Sequence, residues 1–336
     1  MSTAQQFVVA TLIWGTTWIA ITFQLGNVAP EASVAYRFLL AGTALFLWAH
    51  FKGESLRISR RQHGWMALLG LFYAVNYAFI YRAEMQISSG LVAVAGSAML
   101  LFNIMLSRWL FGSPISRELS IGAGLGVAGI VLVFWPEVAA FSGRDGTLGV
   151  AFALIGSFGA ACANQVAMRN AKEGLPVLTT NAWWMLWCAG FMFVAVPLSG
   201  AQFGFEWSAG YLLSLLYLAI FGSVIAFSCY IALVGKIGAA RASYIAVLTP
   251  IVALIISTFF EDMQWHVSSV AGVLLIGLGQ FLILHGRSKL AAAPVTSTAG
   301  KAVNSPANNS ANDSEKKTAS VTTSSTTIKP ATGLAR

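Results

Sequence analysis

Two stretches of this chain, Ile87–Phe134 and Ile237–Leu284, lie 150 positions apart and carry one pattern without a gap. Each opens on a small-polar elbow, Ile87-Ser88-Ser89-Gly90 in the first and Ile237-Gly238-Ala239-Ala240-Arg241 in the second. Each continues as an apolar run of helix length, a short polar turn (112–118 and 261–268) and a second apolar run. Gly122 and Gly129 stand opposite Gly272 and Gly279. Few residues are identical, so what repeats is a plan. Duplication inside an apolar chain is a mark of membrane transporters.

The runs can be apolar throughout because the chain has little else. Apolar residues make up 57% of it and charged residues 10%, where a soluble domain carries about 25% charge. So few charges cannot solvate a surface, and the chain reads as an all-α integral membrane protein in contact with the lipid bilayer. A span needs about 20 mostly apolar residues. Ten are expected, near 7–24, 32–50, 64–82, 88–111, 119–136, 147–168, 177–198, 209–233, 241–260 and 267–285. Met1–Gln6 has no basic segment, so the first run reads as a retained span. Residues 1–136 form one five-helix repeat and 147–286 the second. Residues 287–336 are mostly Ser, Thr, Asn, Ala and Lys, too polar to bury a core, and read as a disordered tail.

Lys and Arg set the orientation. With the N-terminus inside, the cytosolic links hold Lys52, Arg57, Arg60, Arg61, Arg108, Arg117, Arg169, Lys172, Lys236 and Arg241, with Arg287 and Lys289 after the last span. The outer links hold only Arg82 and Arg144. Both termini are therefore expected in the cytosol. Two related halves of five spans must then sit upside down to one another, an inverted repeat whose shared interface is where transporters bind substrate.

Several chemistries are excluded. The net charge of +8 is spread over short links and the tail, with no basic face to follow nucleic acid. Gly235-Lys236 is followed by Ile237 and lacks the upstream glycine of a phosphate-binding loop. No His-Glu-x-x-His metal motif and no Gly-x-Ser-x-Gly elbow occurs. His50, His63, His266 and His285 fall at helix ends, and Cys162, Cys188 and Cys229 read as buried small hydrophobes. No cofactor is implied. An intramembrane enzyme would need an acid–base pair or nucleophile held at one depth, and none is legible. A non-transporting scaffold would use the polar sites for packing alone.

The polar residues inside the runs are the candidate functional groups. Arg37 is the one charge clearly within a span, about two turns into the second helix. It reads either as a clamp on backbone carbonyls or on Glu84, or as an attractor of an anionic substrate group. Glu84, at the outer end of the third span, reads as a partner for Arg82 or as a proton-coupling acid. Trp14 and Trp18 share a face of the first helix with Thr17 between them. Tyr73, Asn76, Tyr77 and Tyr81 form a stripe on the third that must face protein or water. Pro250 interrupts the hydrogen-bond ladder of the ninth span near Tyr244 and Thr249. Its counterpart, Leu100, is not proline, so the hinge is expected in one half only.

The order of short motifs resembles the drug/metabolite transporter superfamily, in particular its EamA-type ten-helix members. The signals are Trp14-Gly15, Pro30 before Arg37-Phe38, Ser89-Gly90-Leu91-Val92-Ala93, Thr249-Pro250, Phe260-Glu261 and the paired glycines. The resemblance covers about residues 7–286. The first half departs from the family pattern at Gly112-Ser113, where Gly-Glu is usual, and at Leu100. The resemblance implies a central cavity lined by helices one, three, four, six, eight and nine. It also implies alternating access and export of small metabolites such as amino acids across the inner membrane. On this basis the expected substrate path comprises Trp14, Thr17, Trp18, Asn76, Tyr77, Tyr81, Ser97, Tyr230, Tyr244 and Pro250. A facilitator driven by the substrate's own gradient is expected, with proton exchange through Glu84 as the rival.

Overall fold

The structure, a computed structural model, describes residues 1–112, 115–140, 144–237, 242, 245–261 and 265–292. Its helices are α1 (Thr3–Thr22), α2 (Pro30–Lys52), α3 (Arg60–Glu84), α4 (Ser89–Gly96), α5 (Met99–Phe111), α6 (Arg117–Ala140) and α7 (Arg144–Lys172). There follow α8 (Val177–Leu198), α9 (Ala209–Leu216), a π-helical segment (Tyr217–Ile225), α10 (Ala226–Ile237), α11 (Ile245–Phe260) and α12 (Val267–Ala292). These make ten spans, with α4 and α5 together the fourth and α9 to α10 the eighth. Eight are long and apolar enough to cross a membrane, and the described parts of the last two are shorter apolar helices. All fall in one compact unit, Met1–Ala293. The last helix runs to Ala292, past its expected end, and the rest of the expected tail lies outside the described residues.

Local chemistry sets the helix ends. Ser2 and Ser59 begin α1 and α3 as reciprocal caps with Gln5 and Gln62, which satisfies backbone N–H groups that a helix start leaves unpaired. Pro30 opens α2, where its missing N–H costs nothing. Gly112 closes α5 with φ of 63°, a left-handed turn that a side chain would strain. Outward faces carry large apolar side chains such as Leu12, Trp109, Val131 and Leu274, as lipid contact requires.

The packing is symmetric under exchange of the halves. α3 lies on α7 as α1 lies on α10. α8 packs on α3 as the π-helical segment packs on α2. α11 packs on α1 as α4 and α5 pack on α7. Three pairs are their own counterparts: α2 with α8, α4 with α11 and α6 with α12. The fold is a ten-helix bundle of two inverted five-helix repeats.

The paired glycines explain the α6–α12 junction. A Cβ on Gly122 would stand 2.6 Å from the carbonyl oxygen of Gly279, and one on Gly129 would stand 2.6 Å from that of Gly272. The reciprocal distances are 2.5 Å. Four glycines two turns apart thus let two backbones touch, the packing available in lipid where no hydrophobic force drives helices together.

One expectation fails here. The fourth span is not continuous, because it breaks at Ser97–Ala98 between α4 and α5. An irregularity is therefore present in the first half as well, although Ser97 and Ala98 both keep α-helical φ and ψ. The Ser97 hydroxyl donates to Val94 O at 2.6 Å, and small residues flank the break, so no proline is needed. α11 itself continues as one helix through Pro250.

Candidate functional site

The space between the halves is occupied by rings. Trp14 packs on Tyr230 and Phe227, with centroids 5.4 and 5.2 Å away. Phe227 faces Trp184 at 6.2 Å, Trp184 stacks on Tyr73 at 4.2 Å, and Phe38 lies between Trp184 (5.3 Å) and Tyr77 (4.7 Å). This continuous aromatic run joins spans one and eight to spans two, three and seven. It ends at Arg37.

Arg37 is 2% exposed. Its guanidinium carbon lies 4.8 Å from the ring centre of Tyr77 and 5.2 Å from that of Phe38, so the cation rests on π faces. Nε donates to Ser223 Oγ at 3.4 Å, and Nη1 has no partner. Among the described residues neither expected clamp forms: Arg37 makes no ion pair, and its polar neighbours are the hydroxyls of Ser223, Tyr77 and Tyr81.

The π-helical segment makes this arrangement possible. Its wider turn lets Ser223 donate to Leu218 O five residues back while it accepts from Arg37. Gly222 O accepts from Trp14 Nε1 at 3.1 Å. A Cβ on Gly222 would stand 2.8 Å from Thr17 Cγ2 and 3.6 Å from Arg37 Nη2, so glycine lets the segment close on both. Nothing in Tyr-Leu-Ala-Ile-Phe-Gly-Ser-Val-Ile distinguishes this segment from ordinary apolar helix. Sequence reasoning passed over it, and with it Ser223, Phe38, Trp184 and Phe227.

The expected path residues separate into groups. Trp14, Thr17, Tyr77, Tyr81 and Tyr230 converge on the aromatic run and the π-helical segment. Trp18 reaches the break in the fourth span, its Cζ2 and Cη2 lying 3.6 and 3.2 Å from where a Gly96 Cβ would be. Ser97 lines a small cleft there with Leu100, Gly122, Gly126 and Gln280. Pro250 borders another beside Val94, Leu254 and Val273. Asn76 donates to Gly156 O at 2.8 Å, and α3 backbone meets α7 there. Tyr244 lies outside the described residues.

One end of the bundle gathers acids. The Glu84–Arg82 pair expected from sequence does not form. Arg82 bonds Glu31 instead, with a further bond from Nη1 to Ala78 O at 3.2 Å. Residues two apart on a helix point to nearly opposite faces, so Arg82 turns to α2 and Glu84 turns inward. Glu261 receives both Ser89 N (3.1 Å to each oxygen) and Ser89 Oγ (2.6 Å), with Ser257 Oγ a third donor. The carboxylate thus closes the N-terminus of α4, where a negative charge is favoured. Gln24, also overlooked, is 1% exposed, donates to Ser214 Oγ at 3.2 Å and accepts from Tyr81 Oη at 3.3 Å. Among the described residues, no three His, Cys, Asp or Glu side chains are grouped to hold a metal.

The chain matches the model of the EamA-like transporter family twice, over residues 2–135 and again over 147–285. It is 30% identical over 298 residues to an uncharacterized inner membrane transporter, YedA, of Escherichia coli K12, covering 86% of this chain and 94% of that one. It is 24% identical over 283 residues to an uncharacterized transporter, YoaV, of Bacillus subtilis, covering 81% and 93%. It is 25% identical to the protein PecM of Dickeya dadantii, over 80% of this chain and 87% of that one. A protein crystal structure superposes with a TM-score of 0.63 at 18% identity, covering 86% of this chain and 98% of the other.

Proposed function

The chain belongs to the EamA-like transporter family and is a membrane transporter rather than an enzyme, and on that premise we propose that it exports small amphiphilic metabolites such as amino acids. It does so by alternating access across the inner membrane, where the YedA relative is placed by its name. Both chain ends face the cytosol, because the basic residues crowd the links at that end. The repeats, 1–136 and 147–286, rock against one another, and 287–336 is a cytosolic tail. The substrate's own gradient drives the passage.

One observation carries this reading: the aromatic run ends at a buried guanidinium with a free donor. Trp14, Tyr230, Tyr77 and Tyr81 offer ring faces and hydroxyls to an apolar body, with Thr17 beside them. Arg37 Nη1 offers a donor to a carboxylate. Trp18, Ser97 and Pro250 belong to the path where the fourth and ninth spans meet. Asn76 and Tyr244 complete it on the third and ninth.

Counterflow of labelled amino acids into proteoliposomes tests the proposal. Flux is expected with the full chain, and loss of flux without loss of folding is expected in Trp14→Ala. Arg37→Gln is expected to weaken carboxylate substrates more than their amides. A folded protein that moves no compound of an amino-acid panel overturns the assignment of cargo.

A further inference from the structure

Glu84 is 8% exposed, and both of its carboxylate oxygens are buried without a hydrogen-bond partner. The hydroxyl of Ser88, in the elbow that follows, is buried and unpartnered as well. An ionised carboxylate with neither donor nor counter-ion is among the costliest groups to bury. The one opposite charge that acts on it, Arg37, does so without contact. From α11, Glu261 presents a like charge and has already taken the donors of Ser89 and Ser257. From α2, Arg37 acts on Glu84 through space but bonds Ser223 and lies over Tyr77, about two turns back along α3. Arg82, two residues along, is held by Glu31. Tyr81, one turn back along α3, also acts on it, but its hydroxyl donates to Gln24.

We infer that Glu84 is a proton-binding site, and that its proton holds the Glu84 end of the bundle closed by sparing Glu261 a second negative charge at the α4 cap. The inference rests on the reading that this end faces outward. The proton comes from external water and returns to it, and no bond other than O–H forms or breaks. When Glu84 ionises, two carboxylates compete for one set of donors. The Glu261–Ser89 contact weakens, α4 parts from α11, and the outer mouth opens. External acid therefore favours closure and external alkali favours opening. The cargo does not enter the argument.

The test uses the full chain with Cys162, Cys188 and Cys229 replaced by alanine and a single reporter cysteine. Ile87→Cys stands at the mouth, 9% exposed, and Met85→Cys, 55% exposed, reports the intrinsic pH dependence of thiol labelling. Labelling by a membrane-impermeant maleimide is read as the ratio of the two. With Glu84 present, the ratio should rise severalfold from acid to alkaline pH. In Glu84→Gln it should stay low at every pH, and in Glu261→Gln, where no like charge opposes Glu84 and an acceptor remains for Ser89, the rise should be lost as well. A flat ratio with Glu84 present overturns the inference, and so does an unchanged rise in Glu84→Gln. If Glu84→Gln does not fold, infrared difference spectra of the parent chain decide. A protonated-carboxyl band that bleaches on alkalinisation, and is absent from Glu84→Asp or shifted in it, supports the site. The absence of any such band refutes it. Failure of amino-acid flux would leave these readouts intact, whereas labelling only from the cytosolic side would refute the orientation.

Discussion

Two of the three self-paired junctions of the repeat, α6 with α12 and α4 with α11, were built by one duplication and have become different things. At the first, four glycines in register press backbone on backbone, and each half contributes alike. At the second, little matches. The first half breaks at Ser97–Ala98 without a proline, while the second keeps a continuous helix through Pro250. Glu261 caps α4 at one end, whereas its counterpart 150 positions earlier, Phe111, is no acid. A junction that must not move keeps its symmetry, because any Cβ there is excluded on both sides. A junction that, under the proposed alternating access, opens toward two different compartments in turn has reason to lose it.

The largest effect should come from breaking the first junction. Gly129→Val or Gly279→Val places a side chain within the van der Waals radius of a facing backbone carbonyl, which neither helix can yield without separating. Overpacking of this kind costs about 1–3 kcal/mol where side chains can adjust, and here the obstacle is backbone. Loss of folded protein is expected in detergent gel filtration and thermal unfolding. Gly124→Ala, on the same helix with open space at its Cβ position, should leave the melting temperature unchanged. Equal damage from both would remove close approach as the reason for the glycines.

A smaller effect is expected at the second junction. Glu261→Ala strips the acceptor from Ser89 N, Ser89 Oγ and Ser257 Oγ together, and a buried donor left unpaired costs about 1–3 kcal/mol. Glu261→Gln keeps an acceptor and loses the charge opposite the helix N-terminus, worth about 0.3–1 kcal/mol. Thermal unfolding of the full chain should therefore rank the parent above Gln and Gln above Ala. If Gln is as unstable as Ala, the charge rather than the hydrogen bonding holds the cap.

How far the sequence anticipates these features depends on whether the feature has a chemical signature. The ten spans were legible because a bilayer demands apolar length; the paired glycines were legible as a repeat, but not that they face one another across α6 and α12. Arg37 and the stripe through Tyr77 and Tyr81 stood out as polar groups in apolar runs. The pairing of Arg82 was misread because neighbours in sequence were taken as neighbours in space, and a helix sets residues two apart on opposite sides. The break at Ser97 and the π-helical segment were invisible, since small and apolar residues also fit a continuous α-helix. Ring contacts such as Tyr73 with Trp184 depend on spans far apart in the chain, and no single run encodes them.

The smallest change in stability should accompany an informative change in rate. Ser97→Ala removes one hydroxyl bond to Val94 O, worth about 0.5–1.5 kcal/mol at most. Pro250→Ala returns an N–H to the helix and should leave stability equal or higher. If the break and the proline are the two halves of one moving junction, both variants should slow counterflow by more than they change substrate affinity measured by competition. The double variant should be slower than either and still fold. The two differ in mechanism: Ser97→Ala loosens an existing break, whereas Pro250→Ala stiffens a helix that is weak at that point. A slowing by Pro250→Ala alone would mean that only the second half moves at this junction, and the break at Ser97 would then be a fixed bend. Slowing by both would show that evolution kept the function of the duplicated hinge while changing the residue that supplies it.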